Sequence, residues 1–243
     1  MFISTPFDHP SADLLNDMNV PIFKIPSGET INLPLLRHIA RMGKPIILST
    51  GMSYIGEVEN AVHCIYESGN LDLALLHCVS EYPANSCDVN LNAMRTMESA
   101  FQVPVGFSDH TLGIEVPIAA VALGACIIEK HFTLNRAMEG PDHRASLDPD
   151  QLGELITSIR NVEQSLGNGV KAPAASEIAN RGIVRRSIYT RCSKNPGDII
   201  DESDLITLRP AGGIPPDQFD LVIGKKVLRP IPEGSLLSWE DIS

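Results

Sequence analysis

Residues 103–133, VPVGFSDHTLGIEVPIAAVALGACIIEKHFT, hold the pattern that decides the fold of this chain. A short apolar run ends in the polar triplet SDH (108–110), a stretch with helical periodicity follows, and a second apolar run ends in EKH (129–131). This alternation is typical of a strand, a helix and a second strand parallel to the first. We therefore expect the two polar triplets at the same edge of one sheet.

The same pattern occurs four more times nearer the N-terminus, in FISTPF (2–7), PIFKIPSGE (21–29), KPIILSTGM (44–52) and LALLHCVSEYP (73–83). Each run ends in polar residues with catalytic potential and is followed by a stretch with helical periodicity. Repeated units of this kind predict an α/β fold, a (β/α) barrel in which the carboxyl ends of all strands form one site. A complete barrel has eight units and this chain supplies six, so we expect a (β/α)8 TIM barrel that lacks its first two strands.

The composition favours an enzyme over a nucleic-acid-binding or membrane protein. The 243 residues, 43% of them hydrophobic, can form one large domain and a small one. No apolar run approaches the roughly 20 residues of a membrane span, and the start MFISTPFDHP lacks the features of a signal peptide. The net charge of −11 disfavours a nucleic-acid or anionic-membrane surface, although a small anionic substrate remains compatible with it. The five scattered cysteines predict reduced structural thiols in a cytoplasmic protein.

A change of pattern near residue 167 predicts two domains. Residues 148–166 begin with Asp-Pro and continue with an apolar stripe at helical spacing, which indicates a helix. Residues 167–182, GNGVKAPAASEIANRG, are small and polar, so we interpret them as a linker. We therefore expect a partial barrel over residues 1–166 and a small second domain over residues 183–243.

The second domain contains an internal repeat. Residues 195–205, NPGDIIDESDL, align with residues 232–242, PEGSLLSWEDI, so that Asp204 matches Asp241. Each copy predicts a turn, a short buried strand and a second turn capped by an aspartate. Such a pair of copies indicates a small, pseudo-symmetric, β-rich domain.

Two histidines follow neighbouring predicted strands, His110 after one and His131 after the next. Two imidazoles at adjacent strand ends, with oxygen groups nearby, can bind a divalent metal ion and leave positions open for substrate. Taken singly, each histidine is more typical of a structural residue, so the prediction depends on their matched placement. His77 lies within an apolar run and is predicted to belong to the core.

A second group of residues is suited to binding an anion. Lys24 lies in an otherwise apolar strand, where burying its charge without an anionic partner would cost several kcal/mol. SG (27–28) and STG (49–51) end consecutive predicted strands, and their hydroxyl and backbone N–H groups suit phosphate. Each of these short motifs, taken alone, is more typical of an ordinary turn. Glu29 and Asp142 could do acid–base work near a metal, and either is equally consistent with a helix N-cap.

Seven segments, in this order and spacing, resemble the sialic acid synthase family: STPFD, KIPSGE, LSTGM, HCVSEYP, GFSDHTLG, IEKHFTL and GPDHRASLDP. The tail, with RRSI, LRPAGGI and VIG, resembles the antifreeze-like SAF domain. The resemblance covers essentially the whole chain and implies a partial TIM barrel followed by a small, β-clip-like SAF domain. It implies condensation of phosphoenolpyruvate with an N-acylated amino sugar, such as N-acetylmannosamine, to give a nine-carbon 2-keto sugar acid and phosphate.

The resemblance also implies roles for individual residues. Phosphoenolpyruvate would be bound by Thr5, Lys24, Ser27, Ser49 and Ser108. A Mn²⁺ or Mg²⁺ ion would be bound by His110 and His131. The sugar would be contacted by Glu29, Tyr82 and Asp142, of which Glu29 is the expected proton-transfer group. In a domain-swapped homodimer, the SAF domain of one chain would cover its partner's barrel and bring Arg209 to the sugar. The family often has an aromatic residue near the start of this domain, where this chain has Ile183.

Members of the family carry a further N-terminal segment with the first two barrel strands, which this sequence does not contain. We therefore expect the sequence to be a fragment of a longer protein rather than the product of a truncated gene. The alternative function is a non-catalytic paralogue that binds a sugar or a full-length partner, because open barrel edges invite pairing. A barrel metallohydrolase is disfavoured, because its site would require more histidines and a metal-bridging carboxylate or lysine.

Overall fold

The computed structural model describes residues 1–243, which separate into an N-terminal unit, Met1–Gly169, and a C-terminal unit, Val170–Ser243. Five parallel strands form the sheet of the N-terminal unit, in the order β1-β2-β3-β4-β5. The strands are β1 Phe23–Ile25, β2 Ile46–Ser49, β3 Leu73–Cys78, β4 Val105–Asp109 and β5 Ile128–Lys130. Each strand pairs with the next along the chain, and all their carboxyl ends therefore lie at one edge.

Six α-helices accompany this sheet. They are α1 His9–Asp17, α2 Leu33–Ala40, α3 Ile55–Glu67, α4 Asn92–Phe101, α5 Glu115–Ala122 and α6 Pro149–Leu166. The alternation of strands and helices confirms the predicted (β/α) architecture, here as a curled half-barrel of five strands. None of the helices is both long and apolar enough to cross a membrane.

The prediction of a strand over residues 2–7 is wrong. This segment has no regular secondary structure, and the ladder of the sheet begins at β1. A strand is stable only when its backbone groups pair with a neighbour, and the segment makes no ladder hydrogen bond to β1. Pro6 also lacks the amide hydrogen that such a ladder requires. The other five predicted strands are confirmed.

Capping residues fix where two of the helices begin. Asn32 accepts a hydrogen bond from the backbone N–H of Leu35 at the start of α2. Asp148 accepts one from the N–H of Gln151, whose side chain accepts in return from the N–H of Asp148. This reciprocal arrangement is a capping box, and it satisfies N–H groups that the first turn of α6 leaves without a partner.

One apolar core lies between the sheet and its helices. Leu36 and Ile39 in α2 and Ile65 in α3 are fully buried, as are Phe23 and Leu48 in the strands. Burial of side chains of this size contributes about 1.5–3 kcal/mol each. The core therefore holds the strands rigidly beneath their carboxyl ends.

The C-terminal unit contains the helices α7 Ile178–Val184 and α8 Phe219–Val222, and the antiparallel strands β6 Ser187–Thr190 and β7 Leu205–Leu208. Helix α7 overlaps the predicted linker 167–182, so the linker is not irregular throughout. The unit has its own apolar core, to which Ile188, Ile200 and Leu237 belong.

Backbone hydrogen bonds confirm the internal repeat of this unit. The N–H of Gly197 donates to the carbonyl of Val227, and at the matching positions Gly234 donates to Thr190. Lys194 and Ile231, which also correspond, exchange both of their backbone hydrogen bonds. The unit is therefore a pseudo-twofold structure in which each copy completes the other.

Candidate functional site

A cavity of about 600 Å³ opens at the carboxyl ends of the strands. Most of the residues proposed for the site line it: Thr5, Lys24, Ser27, Ser49, Tyr82, Ser108, His110 and His131. They come from five different strand ends and from the segment before α1, so the parallel sheet brings together residues that are far apart in sequence.

Lys24 lies at one side of the cavity, with its side chain only 12% exposed. Its Nζ donates to Ser49 Oγ at 2.8 Å and to the carbonyl of Ile25 at 3.2 Å. The nearest carboxylate is that of Glu129, whose Oε2 lies 3.5 Å from Nζ. Ser108 Oγ donates to the other oxygen of Glu129 at 2.7 Å. A carboxylate of the chain itself therefore contacts two of the groups that were predicted to bind an anion.

Gly51 lies directly behind Ser27, Cys78 and Ser80, which line the cavity. Its N–H donates to Ser27 Oγ at 2.9 Å. A methyl group added at Gly51 would come within 2.9 Å of Ser27 Oγ, within 3.0 Å of Cys78 Sγ and closer still to Ser80 Oγ. Only glycine leaves room for this cluster of hydroxyl and thiol groups.

The two histidines also line the cavity, with ring centroids 5.4 Å apart and ring planes at 73°. The Tyr82 ring lies 4.1 Å from that of His110 and 5.5 Å from that of His131. His110 Nδ1 lies 2.7 Å from the carbonyl of Val79 and therefore carries its hydrogen. In the neutral form of the ring, Nε2 consequently has a free lone pair.

Burial and neighbouring groups shift the pKa values of both imidazoles. Burial favours the neutral form of His110, but the contacts of Nδ1 with Cys78 and with the Val79 carbonyl outweigh it and raise the pKa. Burial lowers the pKa of His131, and the nearby His110 lowers it further. His131 is therefore neutral at pH 7 and can act as a ligand.

The histidine pair fits a metal that takes two protein nitrogen ligands. The free lone pair on His110 Nε2 and the neutral ring of His131 are the donor types that Mn²⁺ or Mg²⁺ sites can include, although both ions prefer oxygen. The chain presents no group of three His, Cys, Asp or Glu side chains arranged to hold a metal. The remaining positions would thus be open to water or substrate oxygens.

Three of the predicted site residues do not line the cavity. Glu29 lies in the short helical turn after β1, where its Oε2 accepts from Asn32 Nδ2 at 2.6 Å. Asp142 lies in the loop between β5 and α6, with Oδ2 3.8 Å from His131 Nδ1. Arg209 follows β7 in the C-terminal unit. Ile183, in α7, is 68% exposed.

The cavity is also lined by three side chains with polar or thiol groups that were not predicted for the site, namely Glu129, Cys78 and Ser80. Glu129 is two positions before His131 on the same strand, and alternation along a strand is the signal that places both on one face. The same spacing relates Cys78 to Ser80. Burial raises the pKa of Cys78, but its contacts with His110 and Ser27 outweigh this effect, so the net shift is downward. Cys78 was predicted to be structural and instead contacts the site.

His77 points away from this cavity. Its Nε2 lies 2.5 Å from the carbonyl of Val89, and its ring centroid lies 6.0 Å from that of Phe107. Burial is the main cause that lowers its pKa, so the ring is neutral at pH 7. His77 was predicted to belong to the core, whereas its side chain is only half-buried.

Comparison with known proteins places the chain among sugar-acid synthases. It is 48% identical to an N,N'-diacetyllegionaminic acid synthase of Campylobacter jejuni, over 97% of this chain and 71% of that protein. It is 36% identical to the human N-acetylneuraminate-9-phosphate synthase, over 98% of this chain and 67% of that protein. The crystal structure of a sialic acid synthetase from Leptospira borgpetersenii, in complex with citrate, superposes with a TM-score of 0.68 at 42% identity, covering 72% of this chain and 61% of that one.

Family models match both parts of the sequence. The NeuB family model matches residues 1–171, and the SAF domain model matches residues 185–243. Because the first match covers well over half of the chain, the resemblance seen in the sequence is confirmed: the chain belongs to the NeuB family and carries a C-terminal SAF domain.

Proposed function

We propose that this chain condenses phosphoenolpyruvate with an N-acylated amino sugar, giving a nine-carbon 2-keto sugar acid and phosphate. The observation that carries the proposal is a single cavity that is lined both by Lys24 with a group of hydroxyls and by the histidine pair. The relatives named as synthases of legionaminic and neuraminic acids support the same reaction class.

In this proposal, the anionic ends of phosphoenolpyruvate bind at the side of Lys24. The Lys24 ammonium donates to the Ser49 hydroxyl and forms an ion pair with Glu129, which accepts from the Ser108 hydroxyl. Charged donors of this kind bind phosphate or carboxylate oxygens more strongly than neutral donors do. Thr5 and Ser27 add hydroxyls to the same cavity. The Glu129 carboxylate must then move away from Lys24, because it would repel the anionic group of phosphoenolpyruvate bound to the same ammonium.

The sugar would bind at the side of the histidines. A Mn²⁺ or Mg²⁺ ion bound by His110 and His131 would act as a Lewis acid on the aldehyde oxygen of the open-chain sugar. Tyr82 packs against both imidazoles and offers an aromatic face beside them. The proposed proton-transfer groups are Glu29 and Asp142, the latter close to His131. The side chain of Glu29 would have to turn from Asn32 towards the cavity.

The reaction balances with these groups. C3 of phosphoenolpyruvate forms a bond to the aldehyde carbon, whose oxygen takes up a proton. Water adds to C2 and loses a proton. The bond between C2 and the bridging phosphate oxygen then breaks, so that phosphate leaves with the bonding electrons, and the C2 hydroxyl loses its proton to give the keto group. The cavity is large enough for both substrates at about 600 Å³.

We further propose that the sugar is the precursor of an N,N'-diacetyllegionaminic acid. The chain is 48% identical to the Campylobacter synthase of that product but only 36% identical to the human enzyme that makes a neuraminate phosphate. We also propose a domain-swapped homodimer, in which Arg209 of one chain serves the site of its partner.

Phosphate release tests the proposal. The chain, and a version extended at its N-terminus with the corresponding segment of the Campylobacter relative, are incubated with phosphoenolpyruvate, Mn²⁺ and either the legionaminic precursor or N-acetylmannosamine. We expect stoichiometric phosphate and sugar acid, fastest with the legionaminic precursor. Sugar binding without phosphate release from either version would instead favour a non-catalytic paralogue.

A further inference from the structure

A buried ion pair lies directly behind the two histidines. Lys130 Nζ donates to Asp109 Oδ2 at 2.6 Å, and the two side chains are 4% and 0% exposed. Asp109 and Lys130 are direct partners in the ladder between β4 and β5. The pair therefore joins the last residues of the two strands that carry His110 and His131.

One further residue, Thr111, makes hydrogen bonds to both members of the pair. Asp109 Oδ1 accepts from the N–H and from the hydroxyl of Thr111, each at 2.8 Å. Lys130 Nζ donates a second hydrogen bond to the carbonyl of Thr111. Thr111 is itself 1% exposed. His110 is thus held between two neighbours, Asp109 and Thr111, that the same network fixes.

Strand alternation places this network on the opposite side of the sheet from the cavity. Ser108 and His110 line the cavity, and Asp109 lies between them in sequence. On the next strand Glu129 and His131 line the cavity, with Lys130 between them. The network accordingly does not line the cavity, yet it lies one residue from each imidazole.

Stability alone does not account for an ion pair in this position. Removing two charges from water costs several kcal/mol per ion, and apolar side chains of similar volume are often neutral or stabilising replacements for a buried pair. A buried ionic or polar contact can, however, fix the register of two elements. Here a shift of the β4–β5 register would move one histidine relative to the other.

We propose that Asp109, Lys130 and Thr111 are positioning residues that hold His110 and His131 in the geometry of a metal site. This inference rests on the proposed function, because it assigns the histidine pair to metal binding. The inference means that metal binding depends on these three residues as well as on the two histidines. Residues that hydrogen-bond directly to metal ligands typically change metal affinity 10-fold to 100-fold when they are replaced, and residues that act through the backbone should come close to the lower figure.

The test removes both charges together. A single replacement would leave one uncompensated charge in the interior and strongly destabilise the fold. The double variant Asp109→Asn with Lys130→Met keeps the side-chain lengths and the acceptor for the Thr111 N–H, but it removes the ionic contact. The matched control is Lys194→Met with Asp204→Asn, a partly buried pair in the C-terminal unit whose atoms Nζ and Oδ2 are 2.5 Å apart.

Two measurements on substrate-free protein give the result. Calorimetric titration with Mn²⁺ should show an affinity loss of roughly 10-fold or more in the Asp109/Lys130 variant and none in the control. NMR of the imidazole nitrogens in the metal-free protein should show His110 as the Nδ1–H tautomer in the wild type, because Nδ1 donates to Val79. We expect this tautomer preference to weaken in the Asp109/Lys130 variant only.

Unchanged Mn²⁺ affinity together with unchanged imidazole signals would overturn the positioning role. A double variant that fails to fold would overturn it too, since the pair would then be a requirement of the fold. If the wild type does not bind Mn²⁺, the imidazole signals alone decide. Absence of phosphate release by the wild type would count against the proposed reaction and would leave these two measurements intact.

Discussion

At the scale of single residues, the cavity depends on one glycine as much as on its charged groups. Gly51 lies where any side chain would meet Ser27, Cys78 and Ser80. Its own N–H holds the Ser27 hydroxyl in place. The prediction of an anion site from the STG motif therefore has a steric basis that the motif alone does not reveal.

We expect Gly51→Ala to weaken phosphoenolpyruvate binding by roughly 10-fold. The added methyl group would displace the Ser27 hydroxyl, and the ligand would lose about one hydrogen bond between this hydroxyl and one of its charged groups. Calorimetric titration with phosphoenolpyruvate measures this change in affinity. The control is Gly56→Ala in α3, where an added methyl meets no atom within 4 Å; this variant should bind normally and gain about 0.5–1 kcal/mol of helix stability. Equal phosphoenolpyruvate affinities in the two variants would contradict the steric role of Gly51.

At the scale of secondary structure elements, the start of α6 is a helix end whose capping residue is recognisable in the sequence. The Asp-Pro start predicted a capped helix, and the structure shows Asp148 and Gln151 in a capping box. Leu147, just before the cap, is fully buried and accepts a backbone hydrogen bond from Thr133. The cap therefore also anchors the segment that follows the loop carrying Asp142.

Asp148→Ala should lower the free energy of unfolding by about 1 kcal/mol, since it removes the acceptor for a first-turn N–H. Urea denaturation followed by circular dichroism measures this change. Asp150→Ala serves as the control, because Asp150 lies in the same first turn, is exposed and does not cap the helix. A loss in the control as large as that of Asp148→Ala would show that the effect is the helix dipole and not the cap.

Each copy of the SAF repeat has a turn with a buried aspartate, and these two aspartates predict that the stability of the C-terminal unit depends on pH. Burial would raise the pKa of Asp204 and of Asp241, but hydrogen bonds from Lys194 to Asp204, and from Ser238 and Arg229 to Asp241, lower both values on balance. A carboxyl group with a lowered folded-state pKa stabilises the fold above its unfolded pKa, and this stability is lost as the pH falls through the folded pKa. The C-terminal unit should therefore lose stability as the pH is lowered below about 4.

Fluorescence of Trp239 reports on this unit specifically, because it is the only tryptophan of the chain and its Nε1 donates to Gln218. Thermal unfolding followed at 350 nm between pH 7 and pH 3 should show a falling midpoint in the wild type. The Asp204→Asn variant should start lower and change less with pH. Parallel curves for the two proteins would rule out a contribution of Asp204 to the acid response.

At the scale of the whole molecule, the proposed homodimer makes a distinctive prediction. If Arg209 serves the site of a partner chain, a mixture of Arg209→Ala and His110→Ala chains forms heterodimers in which one site combines the two intact halves. Activity should then return to a fraction of the wild-type phosphate release, although each variant alone is nearly inactive. The control is a mixture made without subunit exchange, which should stay inactive. No recovery in a mixture whose exchange is demonstrated by mass spectrometry would contradict action in trans.

Strand and helix types followed from the sequence because they depend on local patterns. Lys24 between two apolar residues, or His110 after an apolar run, can be recognised by position alone, since side chains alternate along a strand and the strand end is marked by polar residues. The failure at residues 2–7 has a different origin. An apolar, β-rich composition indicates the capacity to pair, but a strand exists only where a neighbour supplies the hydrogen bonds.

The sequence by itself determined the family, the (β/α) order, the SAF repeat and the residues at the strand ends, because each is a property of short segments in a fixed order. Only the tertiary structure decided which of these residues meet. It paired Lys24 with Glu129 and Asp109 with Lys130, and it turned Glu29 towards Asn32. These contacts depend on strand register and on burial, which join residues distant in sequence and are set by the packing of the entire sheet.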